Sequence, residues 1–164
     1  MLSMKLLETL MIFALISLFS VAGFMSYGHY AEEQELKQAT AQLTDTIEFS
    51  ERLSQIEGKT VYLCASETQE TCSQSWQGDF FIFTSDDPAQ IQTILKKIPA
   101  LPHGVDLDID GFKDPPLYFM NNGETANNAN FKLSNSSGVA RFTLSATGIV
   151  SSPISSPLPS NDPA

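Results

Sequence analysis

The stretch Met4–Gly28 constrains this chain most. Between Leu6 and Gly28 lie 23 residues with a single charge, Glu8. Wound as an α-helix, such a run reaches about 35 Å, enough to cross the hydrocarbon core of a bilayer. An ionisable group at the centre of a membrane helix costs roughly 2.5–3.5 kcal/mol on insertion scales, and less near an end. A carboxylate kept under that penalty calls for a partner, which makes Glu8 the first candidate functional residue. The alternative is a side chain that snorkels to the interface. The run exceeds the apolar core of a secretory signal, no small-x-small site closes it, and helical patterning continues beyond it. A non-cleaved anchor therefore fits better than a removed signal peptide. Lys5 on one side and Glu32, Glu33 and Glu35 on the other place the short end in the cytoplasm, on the strength of one lysine.

After Tyr30 the composition turns polar, with no Gly or Pro before Gly58. Leu36, Ala39, Leu43, Ile47, Leu53 and Ile56 recur at spacings near three and four, the stripe of an amphipathic helix. Met4 to about Glu57 thus reads as one helix of about 80 Å. Two helices hinged between Gly23 and Tyr30 are the alternative. Gly58 is a helix stop. Beyond it the period changes to that of strands: Lys59–Ala65, Asp79–Thr84, Gly104–Asp110, Leu117–Met120, Asn130–Leu133 and Val139–Ser145. Asp86-Asp87-Pro88 is a helix-start signal, so a short helix is expected over Ala89–Ile98. Asn121-Asn122-Gly123 reads as a turn. The tail from Ser151 holds four prolines and five serines and is expected to stay unpacked.

The expected fold class is α+β: a long amino-terminal α-helix, transmembrane over 4–28 and amphipathic over 29–57, packed by its stripe on one face of a mostly antiparallel β-sheet domain over 58–150, with a disordered tail over 151–164.

The formal charge is -10, and 18 of the 19 acidic residues follow Gly28. That balance argues against a nucleic-acid surface, whose affinity comes largely from Lys and Arg displacing counterions. Cys64 and Cys72 both fall beyond the apolar run. On an oxidising side of the membrane they read as a disulfide, worth about 2.5 kcal/mol by loop closure; two free thiols are the alternative.

No residue pattern supports catalysis. Asp106, Asp108 and Asp110 followed by Gly111, with Asp114 further on, match the start of a calcium loop, but Leu117 stands where a bidentate Glu is needed. The alternation with Leu107 and Ile109 favours a strand with its aspartates in water, and calcium is the weaker option. His103 is a lone loop histidine, and His29 has no nearby Cys or His partner for a metal. Ser66, Ser73 and Ser75 lack a nucleophile-elbow context. Phe80, Phe81, Phe83 and Trp76 read as core. No cofactor or metal is expected.

Glu8 is the fifth residue counting from Met4, at the start of an apolar helix. This resembles the class III signal of type IV pilins and type II secretion pseudopilins. Val61-Tyr-Leu-Cys64, Cys72, Trp76-Gln-Gly-Asp-Phe-Phe-Ile-Phe83, Leu101-Pro-His-Gly104 and Arg141-Phe-Thr-Leu-Ser-Ala-Thr-Gly148 further resemble the GspH/FimT group of minor pilins and pseudopilins, over about Met4 to Val150. The resemblance implies a leader of residues 1–3, cleavage by prepilin peptidase between Ser3 and Met4, and methylation of Met4. It also implies that Glu8 pairs with the Met4 amine of a neighbouring subunit. Partners would be other pilins or pseudopilins, an inner-membrane assembly platform and the lipid bilayer, with the β domain in the periplasm. Glycine is usual where Ser3 stands, and the leader lacks basic residues. Members that take up DNA carry Gly-Arg-x-Arg; here Gly148-Ile-Val-Ser151 lacks both arginines, which disfavours a FimT-like DNA role. A signal-anchored periplasmic domain of another function is the remaining alternative.

Overall fold

The computed structural model describes residues 2–76, 78–88, 90–111, 115–126 and 128–157, without the side chains of 2–8, 18–27, 29 and 157. One helix, α1, runs unbroken over Leu2–Glu57, so no hinge falls at Gly28. It ends where Gly58 takes φ +63°, a left-handed conformation that glycine adopts without a Cβ clash. Among the described residues eight strands follow: β1 (Val61–Ser66), β2 (Asp79–Thr84), β3 (Thr93–Ile98), β4 (Asp106–Asp110), β5 (Leu117–Phe119), β6 (Ala129–Asn135), β7 (Gly138–Leu144) and β8 (Ile154–Pro157). They form two antiparallel sheets of four strands each, ordered β3-β2-β1-β5 and β4-β6-β7-β8.

The carboxyl-terminal half of α1 packs on both sheets, meeting β1 and β5 of one and β6 and β7 of the other, where a single sheet face was expected. Leu36, Ala39, Leu43 and Ile47 enter the core with Val61, Leu63, Phe80, Ile82, Phe131 and Phe142. The rings of Phe131 and Phe142, opposite one another on β6 and β7, stack at 4.8 Å. The stripe then departs from its expected course. Ile56 is 79% exposed and Leu53 only half-buried, while Ser50 and Ser54 are fully buried. The buried series 36, 39, 43, 47, 50, 54 keeps strict helical spacing but ends in small hydroxyls. These are cheap to bury because α1 itself satisfies them: Ser50 Oγ donates to Thr46 O at 2.8 Å, and Ser54 Oγ to Glu51 O at 2.6 Å.

The helix expected over Ala89–Ile98 is not formed; Ala89 lies outside the described residues, and 93–98 is strand β3. Ile91, Ile94, Leu95 and Ile98 have helical spacing, but the open edge of β2 offers a row of backbone groups that need partners. Strand pairing wins, with a bulge at Leu95: Ile82 faces Lys96 and Phe83 faces Ile94. Asp86-Asp87-Pro88 forms a turn in which Ser85 Oγ donates to Asp87 O at 2.6 Å.

β2 is buried on both faces, which explains its unbroken apolar run. Phe80 and Ile82 face the main core, which α1 also enters. Phe81 and Phe83 form a second cluster with Cys64, covered by Cys72, Tyr62 and Ile91. β4 is a strand with Leu107 and Ile109 turned to the core and its aspartates turned out, as its alternation predicted. The tail is not wholly unpacked: Ile154–Pro157 pair with β7 as β8. Backbone pairing tolerates any side chain except where an N–H is needed, so a Pro/Ser composition did not reveal it. Residues 158–164 lie outside the description.

Candidate assembly surface

Ser3, Met4 and Glu8 lie on the first turns of α1, and their side chains lie outside the description. From Thr9 to Ser17 every side chain is exposed, including Leu10, Met11, Ile12, Phe13, Leu15 and Ile16. An apolar surface on all sides of a helix needs cover from lipid or from other helices. Among the described residues no helix is long and apolar enough to cross a membrane; the side chains of 18–27, within the expected span, are not among them.

The domain grips α1 from residue 32 onward. Asn135, the last residue of β6, accepts at Oδ1 from the backbone N–H groups of Ser137 and Gly138, and its Nδ2 donates to Glu32 O at 2.7 Å. Gln42 Nε2 donates to Pro99 O at 2.7 Å, and Lys96 Nζ sits 4.0 Å from the centre of the Phe49 ring. Near the end of the helix two turns close in. Gly123 (φ +84°) and Gly148 (φ +82°) approach Glu51 and Gln55 so tightly that a Cβ on Gly148 would strike Gly123 O. Gly148 closes the motif Arg141–Gly148, and this contact gives the glycine its physical reason.

The Cys64–Cys72 disulfide is formed, with Cα atoms 5.6 Å apart. It ties β1 to the loop over the Phe81–Phe83 cluster, which Ser73 N–H also holds by donating to Ala65 O at 2.7 Å. Sequence reading missed a second tie. Asp79 on β2 accepts from Lys97 Nζ on β3 at 2.7 Å and from the Ala100 N–H at 3.1 Å. The lysine hydrogen bond first, then the amide, hold its carboxyl below the ordinary carboxylate range. The signal was an acidic residue before an apolar strand, legible only once β3 lay beside β2.

Asp106, Asp108 and Asp110 project from β4 away from the core, and Asp114 lies outside the description. Among the described residues no group of three or more His, Cys, Asp or Glu side chains is placed to hold a metal ion. His103 lines a cleft with Ser75, Trp76, Leu101, Pro102 and Asp106. Ser66 Oγ donates to Thr71 O at 2.7 Å, and Ser73 and Ser75 bond one another at 2.9 Å, so these serines hold loops together.

A long helix with a bare apolar front and a rear half embedded in a disulfide-tied antiparallel domain defines the pilin-like class. The sequence matches the family described as Type II transport protein GspH over residues 39–148, and the chain belongs to that family. In structure it is similar to the type IV minor pilin FimU of Pseudomonas aeruginosa (strain PAO1) in two crystal forms. One matches with a TM-score of 0.62 at 15% identity, covering 74% of this chain and 90% of that one. The other matches with 0.57 at 13% identity, covering 70% and 90%. Comparison with curated proteins gave no match. The chain therefore stands among structural subunits of the pilin and pseudopilin kind, which assemble with their own kind and are not enzymes.

Proposed function

We propose that this chain is a minor pilin or pseudopilin that prepilin peptidase cuts between Ser3 and Met4, that Met4 is then methylated, and that the subunit waits in the inner membrane before entering a type II secretion pseudopilus or a type IV pilus. Leu6–Gly28 is the anchor, and the domain from Gly58 onward lies in the periplasm, where a disulfide is stable. Glu8 pairs with the amine of Met4 on a neighbour. An α-amino group has a pKa near 7.7–8 and is largely protonated at neutral pH. Within lipid the two charges offset one another's desolvation and fix the axial register of packed helices.

The observation that supports this reading best is the unbroken α1, embedded in the domain over its second half and bare from Thr9 to Ser17. Mass spectrometry of the mature amino terminus tests it: N-methyl-Met4 is expected, and a chain that keeps residues 1–3 overturns it.

A further inference from the structure

Asn122-Gly123 is the single Asn-Gly step of the chain. In an unfolded chain such a step is chemically labile. The backbone nitrogen of the following residue attacks the asparagine Cγ, and glycine, having no Cβ, hinders that approach least. The turn nevertheless demands glycine. Gly123 holds φ +84°, and a Cβ there would strike the Gln55 side chain, which is itself tied to Glu51 by a hydrogen bond of 2.8 Å. From the other side, Gly148 lies so near Gly123 O that it has no room for a Cβ either. The closure at the end of α1 is thus built around the step most prone to this reaction.

The folded turn opposes each part of the reaction. Asn122 is exposed, so water reaches it and burial gives it no protection. Its amide is held at both ends by Glu124. Nδ2 donates to Glu124 Oε2 at 2.8 Å, and Oδ1 accepts from the Glu124 N–H at 3.1 Å. The attacking nitrogen is engaged as well, since Gly123 N–H donates to Met120 O at 2.8 Å. Met120 N–H in turn donates to Glu124 O at 2.8 Å, and Thr125 N–H to Ala146 O at 3.0 Å. Bringing Cγ onto Gly123 N breaks both bonds to Glu124 and strips a proton that Met120 O holds. Gly123 is itself buried, and cannot swing toward the side chain without parting from Gln55 and Gly148.

We propose that Asn122 is a site of spontaneous deamidation that folding shuts off, and that its isoaspartyl product prevents the turn from closing again. Gly123 N gives up its proton to hydroxide and bonds to Cγ. The Cγ–Nδ2 bond breaks, and ammonia leaves with a proton from solvent, which leaves a five-membered succinimide. Water then opens the ring. Attack at the main-chain carbonyl yields isoaspartate and attack at Cγ yields aspartate, so in sum the amide and water become an acid and ammonia. Both products lose the Nδ2 donor and set a carboxylate beside that of Glu124, where like charges repel. Isoaspartate also lengthens the main chain by a methylene between residues 122 and 123, next to a glycine with no room to move. The reaction proceeds only in conformers in which the turn has opened, so its extent records time spent open. It needs neither a membrane nor a fibre, and stands or falls independently of the assembly reading.

The test incubates the full chain in detergent micelles at mildly alkaline pH, native in one sample and with its domain unfolded by guanidinium chloride in another. Peptide mapping by mass spectrometry, with fragmentation that separates isoaspartate from aspartate, follows position 122. Loss of Asn122 is expected to be at least tenfold faster in the unfolded sample. After return to native buffer, chains with isoaspartate at 122 should exchange the Gly123 and Thr125 amide hydrogens at least tenfold faster than unmodified chains from the same sample. Asn122→Gln, whose longer side chain must close a larger and slower-forming ring, should pass through the same incubation unmodified at that position and regain its original exchange rates. Equal loss of Asn122 in the two samples, no reaction at Asn122 in the unfolded one, native exchange in the isoaspartyl chains, or lost protection in incubated N122Q overturns the proposal.

Discussion

Leu10 and Leu43 are the same residue on the same helix, yet Leu10 is 61% exposed and Leu43 is 1% exposed. The difference divides α1 into two halves with separate physical tasks. Around Leu43 the helix is part of a domain core, wedged between two sheets. Around Leu10, from Thr9 to Ser17, every side chain is exposed. A helix can hold both halves in one straight element because backbone hydrogen bonding is indifferent to which half is covered. The second half is stabilised by the chain itself, while the first is, on the proposed reading, stabilised by what it meets outside the chain.

Glu8→Ala should break this division most visibly. Incorporation into the fibre is expected to fall at least tenfold, read by immunoblot of sheared fibres, while the thermal unfolding of the domain stays unchanged. Normal incorporation would remove Glu8 from the assembly account. Next in size, Leu43→Ala should destabilise the domain by about 3 kcal/mol through lost burial and a residual cavity, measured by urea unfolding. Leu10→Ala should stay within about 0.5 kcal/mol in the same measurement. A comparable loss in both would mean that the front half of α1 packs on its own domain.

The disulfide offers a finer test within the domain. Cys64→Ser with Cys72→Ser should lower stability by about 2.5 kcal/mol on the loop-closure account. The near-ultraviolet signal of the covered aromatic cluster should weaken, since Cys72 helps cover Phe81 and Phe83. Asp79→Asn should have the smallest effect. Its depressed carboxyl pKa means that the folded state favours the charged form, so the contribution is present at neutral pH and is lost as pH falls through the folded value. The natural and D79N chains should therefore differ slightly in melting temperature at pH 7 and converge in strong acid. A difference that persists there would mean that it does not arise from the charge of the carboxylate.

Much of this was legible in the sequence because it depends on period and on local chemistry. The span of α1, its stop at Gly58, the buried strand Asp79–Thr84 and the outward aspartates of β4 all follow from spacing that a chain cannot disguise. The strand β3 was hidden because Ile91, Ile94, Leu95 and Ile98 fit a helix equally well, and only the open edge of β2 decided between them. Ser50 and Ser54 were overlooked because burial was sought among apolar residues, whereas a close helix–sheet approach demanded small ones.

By itself, then, the sequence determined where the helix runs, which stretch of it is too apolar to stay bare in water, and where the strands alternate, because these are properties of a chain with its nearest neighbours along the backbone. The tertiary structure alone decided that α1 lies across two sheets, that Gly123 and Gly148 close on its end, and that Ile154–Pro157 pair with β7 at the edge of the second sheet. Those outcomes depend on which surfaces meet across long separations, and on how much room the side chains leave when they do.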